Sequence, residues 1–174
     1  SNEEIDLFIQ TYKTAIEKTE ATFFETITAM ALWYYKKEAV DVCILETGLG
    51  GRLDSVSICE PMATVITPIS LDHLEILGET LPEIAFEKAG IIKNGVICIS
   101  SQQDSSVTKV LIEEANKKGS PIHFINGKNS LEYMVNIPGE SQKENAKLAV
   151  STLEHLNNFN ISRTAMINGL KTVQ

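Results

Sequence analysis

The chain has 174 residues, 43% of them hydrophobic and 22% charged, and a formal net charge of −8 at pH 7. This length is enough for one domain with a hydrophobic core, and the acidic balance argues against a nucleic-acid-binding surface. No run of about 18 apolar residues occurs, which argues against a membrane span. The three cysteines, Cys43, Cys59 and Cys98, follow neither a metal-binding nor a disulfide spacing. We therefore expect a reducing, cytoplasmic setting.

Two amphipathic helices are predicted at the start of the chain. Apolar side chains recur at helical spacing over residues 4–18 and again over 22–36. Thr22 and Glu25 have the spacing of a capping box at the start of the second helix. The apolar, β-branched run Val40–Leu45 that follows is predicted to be a buried strand.

Strands and helices alternate along the rest of the chain. The predicted strands are Met62–Thr67, Gly95–Ser100, Pro121–Ile125 and Leu131–Ile137. The predicted helices are residues 81–93, begun by a Thr80–Glu83 capping box, 105–118, Ser141–Asn157 and Ser162–Val173. Because this alternation is typical of βαβ units, we predict an α/β fold with a mostly parallel sheet flanked by helices, in a single domain over residues 1–174.

A glycine-rich segment follows the first predicted strand. Glu46 stands at the carboxyl end of that strand, and glycines follow at Gly48, Gly50 and Gly51. Parallel α/β proteins bind ligands at this edge of the sheet, where glycine allows a close backbone approach and a carboxylate can hold a metal or an incoming amine. The segment is not a dinucleotide fingerprint, because Leu53 stands where that motif has glycine. From spacing alone, a tight turn with a solvated Glu46 is an equally good interpretation.

An acidic residue and a histidine, Asp72 and His73, follow the second predicted strand. They fall at the same edge of the sheet as Glu46, and an aspartate beside a histidine can fix the orientation of the imidazole. The alternative is that Asp72 caps a short helical turn over residues 73–77 and that His73 is a neutral surface residue. Taken alone, the pair favours this alternative.

Lys88 has an unusual place on the predicted helix over residues 81–93. The apolar arc around it comprises Leu81, Ile84, Ala85, Ala89, Ile91 and Ile92. A lysine on a core-facing stripe has to extend to the surface, find a carboxylate partner or be chemically altered. We favour a functional Lys88, aimed at the crevice shared with Glu46 and His73, over a lysine that only reaches a surface carboxylate.

Polar residues in the C-terminal third indicate a binding site less strongly than the glycine-rich segment and Lys88 do. Gln142 and Asn145 lie one helical turn apart, after Ser141, which has the spacing of a capping residue. Amides near a helix start can contact a phosphate or a purine edge, and the alternative is an ordinary solvated first turn. His123 and His155 have no apparent partners, and His123, inside a strand pattern, is predicted to be structural.

Four stretches carry a family resemblance: Thr22–Thr28, Glu46–Asp54, Ser70–Gly78 and Ile84–Lys93, with a fainter match at Gly139–Gln142 and Asn145. Together they resemble the folylpolyglutamate synthase and dihydrofolate synthase family, within the Mur ligase superfamily. The stretches occur in family order. The Glu46–Asp54 and Ile84–Lys93 runs are highly specific as a pair.

The resemblance implies an ATP-dependent amide ligase. ATP would phosphorylate a carboxylate of folate or dihydropteroate, and the amino group of L-glutamate would attack the acyl phosphate. In the family, the residue matching Glu46 holds one Mg²⁺ and the residue matching His73 holds a second. Mn²⁺ should also serve there, because imidazole is an unusual ligand for Mg²⁺. The residue matching Lys88 is carbamylated in family members, which turns a cation into an anion able to hold metal.

The resemblance also implies where the substrates bind. The pterin pocket of the family's dihydrofolate synthases is lined at positions that correspond here to Thr22, Phe24, Asp54 and Ser55. Phe24 would stack on the pterin ring and Asp54 would hydrogen-bond its polar edge. Positions matching Gln142 and Asn145 approach the nucleotide.

The chain also departs from the family's pattern. It has neither the phosphate-binding glycine loop that precedes these motifs in the family nor the family's C-terminal domain, so we interpret it as a central ATPase-domain fragment, related to P-loop NTPases, of a monomeric parent enzyme. Thr47, Ser57 and Ser141 replace residues that are usual in the family. We expect the fragment alone to turn over no ATP and to have an open sheet flank that favours self-association. The alternatives are another Mur-type amino-acid ligase and a degenerate, non-catalytic binding module.

Overall fold

The computed structural model describes residues 1–125, 135–156 and 158–173, which form two compact units. The first unit comprises Ser1–Leu49 with Asp54–Ile58, and the second comprises Gly50–Leu53 with Cys59–Gln174. The glycine-rich segment is therefore divided, because its middle belongs to the second unit and its flanks belong to the first.

The first unit is built from two helices. Helix α1 spans Asn2–Thr19 and helix α2 spans Phe23–Glu38, which confirms both predicted helices. Phe8 of α1 is buried, and its ring centroid lies 4.9 Å from that of Tyr12 and 5.6 Å from that of Trp33. This aromatic cluster joins α1 to α2, since tilted ring pairs at such distances pack favourably.

The predicted strand Val40–Leu45 is wrong. The run has no regular secondary structure, and its apolar side chains face solvent, with Ile44 90% exposed and Val42 48% exposed. A β-branched sequence forms a strand only where a neighbouring strand satisfies its backbone hydrogen bonds. No described strand pairs with this run.

The second unit contains a parallel sheet of three described strands. Strands β1 (Ala63–Ile66), β2 (Ile97–Ser100) and β3 (Ile122–Phe124) pair in the order β1-β2-β3. The register places Ile99 of β2 between Val65 of β1 and His123 of β3. Three of the predicted strands and their parallel arrangement are thereby confirmed.

Helices connect and cover these strands. The helices of the second unit are α3 (Leu74–Leu77), α4 (Leu81–Lys88), α5 (Ser105–Lys117), α6 (Glu140–His155) and α7 (Arg163–Thr172). Parallel neighbours require crossover connections, and α4 and α5 lie in the two crossovers while α6 packs against β1 and β2. The predicted α/β class is therefore correct.

The core of the second unit lies between the sheet and these helices. Its fully buried side chains include Ile84, Ile92, Ile99, Leu111 and Leu148. Cys98 is also fully buried, as expected of a small apolar side chain in a strand, and burial raises the pKa of its thiol to about 11. None of the helices in the described part of the chain combines the length and apolarity needed to cross a membrane.

Two predicted boundaries need correction. The helix predicted over residues 81–93 ends at Lys88 and tightens into a 3-10 turn over Ala89–Ile91, because Gly90 weakens the helix. Residues 131–134 of the predicted strand Leu131–Ile137 lie outside the described residues, and its described end, residues 135–137, is not a strand.

Candidate functional site

Asp54 organises the first part of the glycine-rich segment. Its Oδ2 accepts the backbone N–H of Gly48 at 2.8 Å and that of Leu49 at 3.0 Å, while Oδ1 accepts the N–H of Val56 at 3.0 Å. A carboxylate has about four acceptor sites. Three hydrogen bonds to the loop therefore leave room for one further donor, such as a ligand N–H.

The predicted pterin-binding residues lie in the first unit, and two of them meet at Gly48. A Cβ at Gly48 would lie 3.2 Å from Phe24 Cε1 and 3.6 Å from Asp54 Oδ2, so the glycine separates an aromatic ring from a carboxylate. Phe24 is 66% exposed, which leaves a face of its ring open to a flat ligand. Ser55 Oγ lies 2.8 Å from Thr28 Oγ1.

Thr22 has a structural role in the same unit, as a helix cap. It begins α2 with the predicted capping box, because its hydroxyl accepts the N–H of Glu25 while the Glu25 carboxylate accepts both the N–H and the hydroxyl of Thr22. These hydrogen bonds lower the pKa of Glu25, with the backbone N–H of Thr22 as the largest cause. Because the Thr22 hydroxyl donates to Glu25, only acceptor capacity remains on it for a ligand.

The middle of the glycine-rich segment packs against the end of α4 in the second unit. A Cβ at Gly51 would lie 2.8 Å from the carbonyl oxygen of Lys88, and a Cβ at Gly90 would lie 2.1 Å from the Cα of Arg52. Real Cβ atoms do not tolerate such distances, so both glycines are required for this backbone contact.

Arg52 and Glu87 add polar contacts to this packing. The N–H of Arg52 donates to the carbonyl of Glu87 at 2.9 Å. The guanidinium donates to the Glu87 carboxylate through Nη2 at 2.8 Å and through Nε at 3.1 and 3.2 Å. The carboxylate beside it raises the pKa of Arg52. One residue pair therefore links the motif to α4 through both backbone and side chains.

Lys88 is the last residue of α4 and is half-buried, in agreement with its predicted place beside an apolar arc. Ile84, Ala85 and Ala89 of the same arc are fully buried. Its neighbour Glu87 pairs with Arg52, as described above. Among the described residues of the second unit, no carboxylate or hydrogen-bond acceptor pairs with the Lys88 ammonium. An amine without such a partner is open to chemical modification.

His73 has a strained backbone. Its φ of 48° and ψ of 44° are left-handed, which is uncommon for a residue other than glycine. His73 itself occupies the cap position before α3, and Asp72 Oδ1 accepts the His73 N–H at 2.8 Å. The alternative in which Asp72 caps this turn is therefore wrong. The Asp72 carboxylate lies 3.7 Å from His73 Nε2, and both side chains are exposed.

The predicted metal ligands come from different units. Glu46, which is exposed, belongs to the first unit, whereas His73 and Lys88 belong to the second. Within the described ranges, no three histidine, cysteine, aspartate or glutamate side chains are placed to hold a metal ion. The predicted set contains only two such side chains, and its third oxygen ligand requires a modified Lys88. Its grouping into one site stays a prediction.

Gln142 and Asn145 face each other on the first turns of α6, where Asn145 Nδ2 donates to Gln142 Oε1 at 3.4 Å. Gly139, with φ of 122°, caps the helix, so the prediction of Ser141 as the capping residue is wrong. Gly139 can occupy this backbone conformation because it lacks a Cβ. The two amides therefore lie near a helix start, as expected.

Sequence reasoning missed two side-chain associations. The Arg52–Glu87 pair joins residues that are far apart in sequence. His123 and His155 have ring centroids 4.9 Å apart, and His155 Nδ1 lies 2.7 Å from the Ser151 carbonyl oxygen. No short-range spacing reports either association, because each joins residues that are more than 30 positions apart in the chain.

The second unit is an α/β fold with a parallel sheet flanked by helices, and Asp72 and His73 lie on the segment between β1 and α3. Residues 2–166 match the model of the Mur ligase middle domain family. The chain belongs to this family.

Two similar proteins within this family are named as folate-related synthases. A dihydrofolate synthase/folylpolyglutamate synthase of Bacillus subtilis is 35% identical over 85% of this chain and 40% of its own length. A probable dihydrofolate synthetase of Schizosaccharomyces pombe is 33% identical over 95% of this chain and 46% of its own length. The chain thus spans less than half the length of these two relatives.

Solved structures agree with the fold. A folylpolyglutamate synthase from Thermotoga maritima superposes with a TM-score of 0.85 at 29% identity, over 100% of this chain and 46% of that protein. A complex of folylpolyglutamate synthase (FPGS) with AMPPCP and folate superposes with a TM-score of 0.85 at 25% identity, over 95% of this chain and 47% of that protein.

Proposed function

We propose that the chain is the central part of an ATP-dependent ligase that adds L-glutamate to folate, with dihydropteroate as a second acceptor. The observation that carries this proposal is the match to the Mur ligase middle domain over residues 2–166, a range that contains every predicted site residue. The names of the relatives and the complex of FPGS with AMPPCP and folate support the choice of substrates.

The proposed reaction has two steps. The γ-phosphoryl group of ATP moves to a folate carboxylate oxygen and ADP leaves. The amino group of glutamate then attacks the carbonyl carbon of the acyl phosphate, inorganic phosphate leaves, and the amine loses a proton. Bound Mg²⁺, for which Mn²⁺ would substitute, would neutralise charge on the phosphates, and such reactions depend mainly on positioning and electrostatics.

Glu46, His73 and Lys88 are the proposed metal-binding and catalytic set. The Glu46 carboxylate and the His73 imidazole would bind metal, and Lys88 would add an oxygen ligand after carbamylation. Two observations support this assignment. The Lys88 ammonium has no partner among the described residues of its unit. The left-handed backbone of His73 costs about 1–3 kcal/mol, and such strain is concentrated at functional sites.

The folate side of the proposed site uses the first unit. Phe24 offers an exposed ring for stacking on the pterin, and Asp54 has one acceptor site left for its polar edge. Thr22 and Ser55 would complete this pocket. On the nucleotide side, Gln142 and Asn145 would approach ATP.

Glutamate ligation by the purified full-length protein that carries this chain tests the proposal. The protein is incubated with ATP, Mg²⁺, L-glutamate and either folate or dihydropteroate, and the products are identified by mass spectrometry alongside ADP release. Lys88→Ala should abolish ligation, whereas Lys109→Ala, at an exposed position of α5, should not. Incorporation of a different amino acid into a different carboxylate would favour another Mur-type ligase, and no turnover with any acceptor would favour a non-catalytic module.

The 174-residue chain alone is a separate case. It contains no Gly-x-x-x-x-Gly-Lys-Ser/Thr sequence to cradle the β- and γ-phosphates. We expect it to release no ADP from ATP under the same conditions. Robust ADP release by the purified chain would contradict this part of the proposal.

A further inference from the structure

Arg52 and Glu87 are linked more closely than an ordinary surface ion pair. Lys117 and Glu114, for comparison, form an ion pair within α5 and are only three positions apart in the chain. Arg52 and Glu87 are 35 positions apart and share a backbone hydrogen bond as well as a side-chain pair. The guanidinium also lies 5.8 Å from the ring centroid of Phe86.

This pair contributes little to stability through charge alone. The Arg52 side chain is 47% exposed, and solvent-exposed ion pairs are typically worth less than about 1 kcal/mol. Its geometry is specific, however, because a carboxylate held by two guanidinium nitrogens cannot rotate freely. The contact therefore restricts orientation at the point where α4 ends.

Lys88 lies at that point. It directly follows Glu87, and its own carbonyl oxygen packs against Gly51, the residue before Arg52. Gly51 and Gly90 let the two backbones approach, and the Arg52–Glu87 contacts then hold them in place. Residues of the glycine-rich motif thus hold the backbone of α4 at Lys88.

We propose that Arg52 and Glu87 are positioning residues that hold Lys88 in the orientation required for its carbamate to bind metal. This inference rests on the proposed function, in which Lys88 is carbamylated. Neither side chain contacts substrate in this role. Residues that orient metal ligands typically change metal affinity or activity by about 10–100-fold when they are replaced, because ligands must be held to within about 0.5 Å.

The test uses the full-length protein with Arg52→Met, Glu87→Gln and the milder Arg52→Lys. Lys117→Met, which removes an ion pair within α5, is the matched control. Two readouts do not depend on turnover: the carbamate resonance in ¹³C NMR after addition of ¹³C-bicarbonate, and Mn²⁺ affinity by electron paramagnetic resonance. Ligation kinetics and thermal unfolding are measured in parallel.

Arg52→Met and Glu87→Gln are expected to weaken Mn²⁺ binding by about 10–100-fold, to reduce the carbamate resonance and to lower kcat with an unchanged KM for folate. Arg52→Lys keeps the charge without the two-nitrogen contact and should fall between these variants and the wild type. Lys117→Met should match the wild type. Wild-type Mn²⁺ affinity and carbamate resonance in Arg52→Met would overturn the inference.

Failure of the inference and failure of the proposed function give different results. A wild-type protein that ligates glutamate but has no carbamate resonance would overturn the inference and leave the proposed function standing. A wild-type protein with a carbamate resonance that depends on Arg52, but with no glutamate ligation, would support the inference and overturn the proposed function.

Discussion

Asp54 accepts the backbone N–H of Gly48 at 2.8 Å, six residues before it in the chain. The same oxygen accepts the N–H of Leu49, so one carboxylate closes the first half of the glycine-rich segment. Gly48 in turn lies against the exposed ring of Phe24. The shape of the loop and the proposed pterin-binding surface therefore depend on the same side chain.

Replacement of this carboxylate should loosen the loop. Asp54→Asn offers fewer acceptor sites and adds N–H donors, so at least one of the N–H groups of Gly48, Leu49 and Val56 loses its acceptor, at a cost of about 1 kcal/mol. We expect faster amide exchange at these three residues in hydrogen–deuterium exchange. Asp41→Asn, at an exposed position of the same unit, is the control. Unchanged exchange in Asp54→Asn would contradict the assigned role.

Gly90 should not tolerate a side chain. In Gly90→Ala, the new Cβ would meet the Arg52 backbone at 2.1–2.4 Å, and the forced separation should cost about 3 kcal/mol of unfolding free energy. Gly169→Ala on α7 is the matched control, because nothing lies within 4 Å and alanine favours a helix by about 0.5–1 kcal/mol. Denaturant unfolding measures both. Equal stability of the two variants would show that the contact between the motif and α4 is not tight.

The capping box of α4 should make stability depend on pH. The Thr80 hydroxyl, followed by the N–H groups of Thr80 and Glu79, lowers the pKa of Glu83 from 4.5. A lowered carboxyl pKa stabilises the folded state above the unfolded-state value, and this contribution is lost as pH falls through the folded-state value. The stability difference between the wild type and Glu83→Gln should therefore be largest near neutral pH and shrink below about 4.5.

Denaturant unfolding between pH 3 and pH 7 measures this difference. Glu113→Gln, at an exposed position of α5, controls for the removal of a surface carboxylate. A difference for Glu83→Gln that grows on acidification would have the wrong sign for a carboxylate stabilised by hydrogen bonds.

The exposed run Val40–Leu45 should promote self-association of the 174-residue chain. Among the described strands none pairs with this run, and Ile44 is 90% exposed, so the exposed apolar side chains can pack against another copy. Light scattering should detect association that rises with concentration and that Ile44→Lys reduces. Asp41→Lys adds a lysine nearby but keeps the apolar side chains, and it should have a weaker effect. Monomeric scattering of the wild-type chain at high concentration would dismiss the prediction.

Local signals predicted two of the helix starts correctly and failed at Ser141, where Gly139 caps the helix instead. The Thr22–Glu25 and Thr80–Glu83 capping boxes both form, because each depends only on residues three positions apart. The apolar run Val40–Leu45 did not become a strand, because a strand also depends on a pairing partner, which its own sequence does not reveal.

The contacts between the glycine-rich motif and α4 could not be predicted from the sequence either, because they join distant parts of the chain. The approach of Gly90 to Arg52 depends on how the chain returns to α4, and composition gives no sign of it. The apolar arc around Lys88, in contrast, follows from helical spacing and correctly indicated a half-buried lysine.

The most direct test of the central claim, that Glu46, His73 and Lys88 hold metal together, is anomalous diffraction from Mn²⁺ in crystals of the full-length protein with AMPPCP. We predict that Mn²⁺ would be bound by a Glu46 carboxylate oxygen, the His73 imidazole and a carbamylated Lys88. Mn²⁺ bound to the phosphates with none of these three side chains as a ligand would contradict the claim.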